Sequence, residues 1–356
     1  MYSPNLTLTN LIVKYIVTFE INNERIKCTP LPYKQRKQLY EKVHAEDINA
    51  LGEIINLPIG YSKALDIQRG KIDISKGAKH KILANYRSTQ DFINSYKSTS
   101  FVPISSELIS HLNNLLLKNI LDSWDTGKFR KFSEVPNEIY DQWYKHRDYY
   151  PKRNSEKYFN ELSEWIYSGR DNYHKLIQCA LLLYEFIDNA PMYAGNQMTS
   201  LLTLTCILKD FGYNQYNTLC IAKALKPIHE EISDIFKMSK SKKDQTLFVE
   251  AILYGLSLES IQLKQLYENS YNKTIKRKAD SEENLNSRQL KIIEHLQENK
   301  KITRNECTKI MGVSFMTSYR DLTELLQAGY LEKKGKNKKT YYILKEKEDN
   351  WINSVI

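Results

Sequence analysis

Residues 190–201 read APMYAGNQMTSL. A proline and then Gly195-Asn196 lead into a long apolar segment. This is the sequence form of a turn opening a helix, whose first backbone N–H groups can hold a phosphate. The segment contains no Lys, Arg, His, Asp or Glu. Any anion here would rest on Gly195, Asn196 and Gln197 alone, so weak binding is the expectation. A second set of residues suited to chemistry lies near the C-terminus. There VSFMTSYRD precedes a basic run containing Lys333, Lys334, Lys336, Lys338 and Lys339. Lysines in such a run neutralise phosphates and give salt-dependent affinity with little sequence information. Ser314, Phe315, Thr317 and Ser318, in the first turns of the adjoining helix, are placed to meet base edges.

The composition agrees with an anionic partner. The chain has 356 residues and a formal net charge of +10, with 41% apolar and 26% charged residues. That is enough apolar content for a folded chain of two or three domains rather than a disordered one. Heavy use of Asn, Lys, Ile and Tyr throughout accounts for part of the lysine content, so some lysines only solvate a surface. Five cysteines are scattered without CxxC or metal-ligand spacing. Cys179 and Cys206 sit inside apolar runs as core residues, and the odd count points to a reducing cytoplasm. LIVKYIVTF near the N-terminus is broken by Lys14, which argues against a signal peptide. No uncharged apolar run approaches the roughly 20 residues of a membrane span, so no membrane partner is expected.

The elements that position these residues are mostly helical. YIVTFEINNERIKCTP alternates apolar and polar residues around Asn22-Asn23 and predicts a small β-hairpin. KQRKQLYEKVH, HKILANYRSTQDFI and SELISHLNNLLLKNI have helical spacing, the last with a start at Ser105–Ser106. The aromatic and basic stretch from Phe129 to Arg153 has no sustained period and reads as a flap. Two segments, YHKLIQCALLLYEFI and TSLLTLTCILKDFG, are apolar nearly all round. They should lie at the centre of a helical bundle, with Gly212 ending the second. The turn at 190–196 is therefore the joint of a buried helical hairpin. NKTIKRKADSEENLNS is polar and aperiodic and reads as a linker. These patterns divide the chain into an extension over 1–57, a helical domain over 58–270, a linker over 271–285 and a closing unit over 286–347.

That closing unit reads as helix, short helix, turn, helix and hairpin. Leu290, Ile292, Ile293 and Leu296 form one inner face, and Leu322, Leu325 and Leu326 form another. Thr303 and Ser314 act as N-caps, and Gly312 ends the middle helix. VSFMTSYRDLTELLQAGYL resembles the recognition helix and following strand of a winged helix-turn-helix. The resemblance implies duplex DNA as partner. Arg320 is either a contact residue or tied to the adjacent Asp321.

LLLYEFIDNAPMYAGNQMTSLLTLTCILKDFGY resembles the core of Fic (Fido-fold) domains, whose signature is HPFxxGNGRxxR between two central helices. GKFR (residues 127–130), YYPKRNSEKYFNELSEWI and ILANYRSTQDFI are similar to flanking segments of that family. The resemblance runs from about Pro58 to Tyr213, and many family members carry a C-terminal winged helix. It implies a mainly α fold: a Fic-type bundle with the small N-terminal hairpin, the flap and a winged-helix domain. It also implies transfer of AMP from ATP to a hydroxyl. A histidine acts as base, an acidic residue holds Mg²⁺, and arginines neutralise phosphate.

Here only Pro191, Gly195 and Asn196 match the signature. Ala190 occupies the histidine position and Met192 that of the phenylalanine. Ala194 stands where the metal-binding acid would be, Gln197 replaces the second glycine, and Met198 and Leu201 replace the arginines. The additional histidine common in the preceding helix is Leu183. Ser62 and Asp66 in SKALDI loosely fit the family's inhibitory motif, with Asp66 in place of glutamate. The reading favoured is a catalytically degenerate Fic-type protein acting as a cytoplasmic, DNA-binding regulator. Its helical body would then be scaffold, dimer module or ligand sensor, and no catalytic residue, metal or cofactor is expected. The alternative is an active AMP transferase using ATP and Mg²⁺ in a rearranged site, with Asp188 as substitute base. A third reading is an interaction protein with a protein partner only, to which flap tyrosines such as Tyr140 and Tyr144 would contribute.

Overall fold

A computed structural model describes residues 2–71, 78–97, 104–131, 154–168, 173–214, 216–283, 285–335 and 340–345. Its first element corrects the hairpin expected near the N-terminus: residues Asn10–Lys27 form helix α1. Thr9 caps it, its side chain accepting from the Ile12 N–H at 3.2 Å. The buried positions Ile12, Phe19, Asn22, Asn23 and Ile26 recur at helical spacing. The strand-like alternation held only over a short window, and the longer period decides the outcome. Asn22-Asn23, which resembled a turn, lies on the inner face of the helix. The Asn22 side chain donates to Ser260 Oγ at 3.1 Å.

The following helices are α2 (Tyr33–Ile54), α3 (Tyr61–Gln68), α4 (Ala78–Ser95), α5 (Ser106–Leu117), α6 (Ser155–Ser168), α7 (Lys175–Asn189) and α8 (Asn196–Asp210). Then come α9 (Ile221–Leu225), α10 (Ile232–Lys242) and α11 (Thr246–Glu283). Ser105 caps α5 through the Leu108 N–H, as its sequence indicates. The flap expected over Phe129–Arg153 lies outside the described residues from 132 to 153, including Tyr140 and Tyr144.

Two compact units divide the chain: residues 1–29 with 36–267, and residues 30–35 with 268–356. In the first unit α1 and α2 share one core with the central helices. The segment read as an aperiodic linker over 271–285 is helical up to Glu283, because α11 continues through it. α11 carries charged residues such as Glu250, Glu259 and Lys264, so it is not an uncharged run. Over Thr246–Thr274 it is long and apolar enough to cross a membrane, with mean hydropathy 1.2. Its Phe248, Val249, Ile252, Leu253 and Leu256 are nevertheless buried in the core of the first unit. That burial accounts for its composition.

α7 and α8 form the centre of this core. Every residue from Leu176 to Ile187 and from Asn196 to Leu208 is buried. A helix buried on all sides must satisfy its own polar side chains. In α8 they bond back to backbone carbonyls one turn earlier: Ser200 to Gln197 at 2.7 Å, Thr203 to Thr199 at 2.7 Å and Thr205 to Leu201 at 2.9 Å. Cys179 and Cys206 are buried here as expected. Burial pushes the Cys206 thiol up to about 12 and the Cys179 thiol still higher, so both act as small core residues.

The second unit has its own core of Ile292, Leu296, Ile302, Cys307, Leu322, Leu325, Leu331 and Tyr342. Its elements are α12 (Ser287–Asn299), α13 (Arg304–Met311), α14 (Phe315–Gln327) and an antiparallel hairpin of β1 (Leu331–Lys334) and β2 (Tyr341–Leu344). Ile302 adds a bridge to Tyr342 at the hairpin's edge. Thr303 and Glu306 form a capping box on α13, and Gly312 ends that helix at φ 63°. One inward position differs from the sequence pattern: Leu290 is exposed, because the inner stripe of α12 runs through Ile292 and Leu296.

The two cores predict separable stabilities. Leu322→Ala should destabilise the second unit by about 2–5 kcal/mol, the usual cost of a buried leucine truncation. Amide exchange should accelerate in α12–α14 while α7 and α8 keep their protection. Equal acceleration in both would show that one core supports the whole chain.

Candidate functional site

The joint between α7 and α8 is where sequence placed an anion-binding turn, and its backbone has the required shape. Ala190 ends α7 in the left-handed region at φ 39° and ψ 66°. Gly195 opens α8 at φ 67°. A Cβ on Gly195 would sit 3.3 Å from the Leu117 side chain, so the turn is pressed against α5. Asn196 closes it reciprocally: its Oδ1 accepts from the Met192 N–H at 2.9 Å, and its Nδ2 donates to the Met192 carbonyl at 2.9 Å.

Two side chains from outside the hairpin hold this joint. Arg130 donates from Nε to the Ala190 carbonyl at 2.7 Å and from Nη2 to the Asn189 carbonyl at 2.6 Å. A cation at a helix C-terminus also compensates the helix dipole. Asn113 of α5 donates to the Ala194 carbonyl at 2.8 Å and to Thr199 Oγ1 at 2.9 Å. Its Oδ1 accepts from the Gly127 N–H at 2.8 Å. The backbones of 128–130 and 191–193 pair as well, Arg130 N–H to the Pro191 carbonyl at 2.8 Å and Tyr193 N–H to the Lys128 carbonyl at 2.9 Å. Gly127 makes this approach feasible: at φ 68°, a Cβ there would lie 2.7 Å from the Ser110 carbonyl.

The surroundings of the turn are apolar and closed. Ala190, Met192, Ala194, Met198 and Leu201 are all 0% exposed, and so are Asn196 and Gln197. Cavities of about 800 Å³ beside Asn114 and Asp122, and of about 360 Å³ beside Tyr96 and Lys209, do not include it. In the second of these Lys209 already serves the chain, donating to the carbonyls of Ile93, Asn94 and Tyr96 at 2.6, 2.7 and 3.3 Å. The residues at the turn do not fit a nucleotide triphosphate with its metal: Ala194 brings no oxygen, and Met198 and Leu201 bring no charge. Asp188, the substitute base, is bound to Lys240 of α10 instead. Ser62 is exposed and Asp66 half-buried on α3. Among the described residues neither bonds to the turn, and Leu201 offers Asp66 no charge to meet.

A titratable group that sequence analysis passed over lies one turn before the joint. Glu185 is buried, accepts from Tyr158 Oη, and accepts from Asn189 Nδ2 at 3.1 Å. Burial pushes its carboxyl up to about 7; Asp188 raises it further, and the hydrogen bonds restrain it. Its only sequence signal is a lone carboxylate within the apolar run of α7.

The candidate contact residues of the second unit are partly redistributed. Ser314 caps α14 and shares a 2.9 Å hydrogen bond with Thr317 Oγ1, both at the surface. Ser318 is not a contact residue: it is 0% exposed, and Thr308 Oγ1 donates to its Oγ at 3.1 Å. Asp321 does not tie up Arg320, because its carboxylate accepts from Arg288 Nε at 2.9 Å. Arg320 stays exposed, 4.0 Å from Glu324. Lys336, Lys338 and Lys339 lie outside the described residues. Phe315, Met316 and Tyr319 are exposed on α14.

Residues 103–208 match the Fic/DOC family. The match runs from just before α5 to the last turns of α8, so it covers the turn and the helices that hold it. It is shorter than the Pro58–Tyr213 expected from resemblance, and leaves out α3 with Ser62 and Asp66. The fold is similar to that of a Fic family protein from Desulfovibrio desulfuricans G20, at 17% identity and TM-score 0.60, covering 97% of this chain and 99% of that one. It is also similar to a Fic domain containing signaling protein from Bacteroides thetaiotaomicron, at 14% identity and TM-score 0.52, over 74% of this chain and 97% of that one. A fragment of Fic-1 from C. elegans is similar at 13% identity and TM-score 0.55, over 74% of each chain. No curated protein matches the sequence. The chain thus carries a Fic/DOC family domain and has a mainly helical Fic-type fold.

Glu185 makes the stability of this domain depend on pH. The carboxyl ionises near 4.5 when unfolded and near 7 when folded. Between those values the folded state holds the extra proton, so its contribution is full below the window and is lost as pH rises through it. Glu185→Gln cannot ionise. From pH 5 to pH 8 its unfolding free energy should gain about 1–3 kcal/mol relative to the parent, read by denaturant titration at each pH. A constant difference between the two proteins would mean that Glu185 is ionised in the fold.

Proposed function

We propose that the Fic/DOC domain of this chain is a catalytically degenerate scaffold, and that the chain acts as a regulator through a C-terminal winged helix that binds duplex DNA. One observation carries the first half: the α7–α8 turn keeps the backbone of an anion site while Ala190, Ala194, Met198 and Leu201 close it with apolar side chains. Loss of a general base alone slows transfer by about 10²–10⁴-fold, and loss of the groups that neutralise phosphate adds to it. The cation and amide at the joint, Arg130 and Asn113, are engaged with backbone groups.

The second half is supported by the arrangement of α12–α14 with the β1–β2 hairpin. A capped helix with an exposed N-terminal face follows a short helix and precedes a basic two-stranded element. Over residues 286–345 there are thirteen lysines and arginines against six carboxylates. In this reading Arg320 and Thr317 face the major groove, and Lys333 and the lysines at the hairpin tip lie along phosphates. The cytoplasm is the corresponding location.

Incubation with labelled ATP and Mg²⁺ or Mn²⁺ should leave the protein and lysate targets unmodified, and calorimetric titration with ATP should give no binding heat. Modification that disappears on Asn196→Ala or Asp188→Asn would identify an active AMP transferase instead.

The full-length protein should bind duplex DNA with an affinity that falls linearly on a log–log salt plot. Lys333→Ala should reduce the slope by about 0.9, the share of one phosphate contact. Absence of duplex affinity at low salt would remove the DNA-binding half of the proposal and leave protein contact as the role of this unit.

A further inference from the structure

The exposed side chains of α14 indicate what its reading face recognises. Its first two turns are Phe315, Met316, Thr317, Ser318, Tyr319 and Arg320. Ser318 is buried, and Ser314 and Thr317 bond to each other across the cap. What projects outward is mostly apolar: Met316 at 74% exposure, Phe315 at 52% and Tyr319 at 44%. No Asn or Gln lies in these turns, so the two-point amide contact that selects adenine has no donor here.

Arg304, at the start of α13, stacks its guanidinium over two of these rings, 4.8 Å from the Phe315 centroid and 4.5 Å from that of Tyr319. The rings are thus held by a cation, and Met316 stands furthest out. An apolar face inside a strongly basic unit needs a partner that is anionic and also offers apolar groups. Duplex DNA has both, because the thymine 5-methyl lies on the floor of the major groove between two rows of phosphates.

We propose that α14 reads DNA chiefly by apolar contact of Met316 and Phe315 with thymine methyl groups. This rests on the DNA-binding reading above and adds a specificity to it. Arg320 and the hairpin lysines then supply position and affinity, while the thymine methyls select the site.

The test uses the full-length protein. Duplexes are selected from a random pool and should be enriched in thymines at fixed positions. In the selected duplex each thymine is then replaced by deoxyuridine, which removes only the methyl. Affinity should fall about fourfold per contacted thymine, the effect of exposing one methyl-sized group. Met316→Ala should abolish the deoxyuridine penalty at one position while leaving the salt slope unchanged. Circular dichroism checks that the variant is folded. Duplex binding that deoxyuridine never weakens would overturn this inference and leave the DNA-binding reading intact. No duplex retained at any salt would overturn both and assign the apolar face to a protein partner.

Discussion

Three backbone carbonyls at the α7–α8 joint set the terms for this fold. Those of Asn189, Ala190 and Ala194 lie where two helices buried on all sides meet, and an unpaired carbonyl there would cost about 1–3 kcal/mol. Arg130 and Asn113 satisfy them. To reach the joint, Arg130 needs the preceding backbone to pair with residues 191–193. That pairing needs Gly127 to pass closely over Ser110. The order of α5, the 127–130 segment, α7 and α8 follows from one requirement on three oxygens.

The same requirement bears on chemistry. A polar group that holds a buried turn together is not free to hold a substrate. Asn196 retains the position expected of a phosphate-binding turn but spends both ends of its amide on Met192. Ala190, Met192, Ala194, Met198 and Leu201 around it are fully buried. Retained backbone shape is weak evidence of retained function, because helix packing alone preserves it.

The second unit distributes its residues differently. Its core is small, and its caps, ion pair and inward serine do local structural work: Thr303 with Glu306, Arg288 with Asp321, Ser318 with Thr308. The surface of α14 is left to Phe315, Met316, Tyr319 and Arg320. Within the unit Phe315 and Tyr319 pack against the Arg304 guanidinium, and Met316 projects furthest.

The sequence by itself determined α2, α4, α5, α7, α8 and α12–α14, their caps at Ser105, Thr303 and Ser314, the hairpin of β1 and β2, and the central place of α7 and α8. These follow from local periodicity and from side chains bonding backbone within a few residues. It also showed that no charged group lies at the turn. It misread α1 as a hairpin, because two periods overlap in a short window and only packing against the core selects one. It could not assign Asn113 and Arg130 to the joint, place Ser318 inside, or separate Arg320 from Asp321. Each of those depends on a partner in another element. Separation in sequence hides such contacts, and only the folded chain creates the buried surroundings that make them necessary.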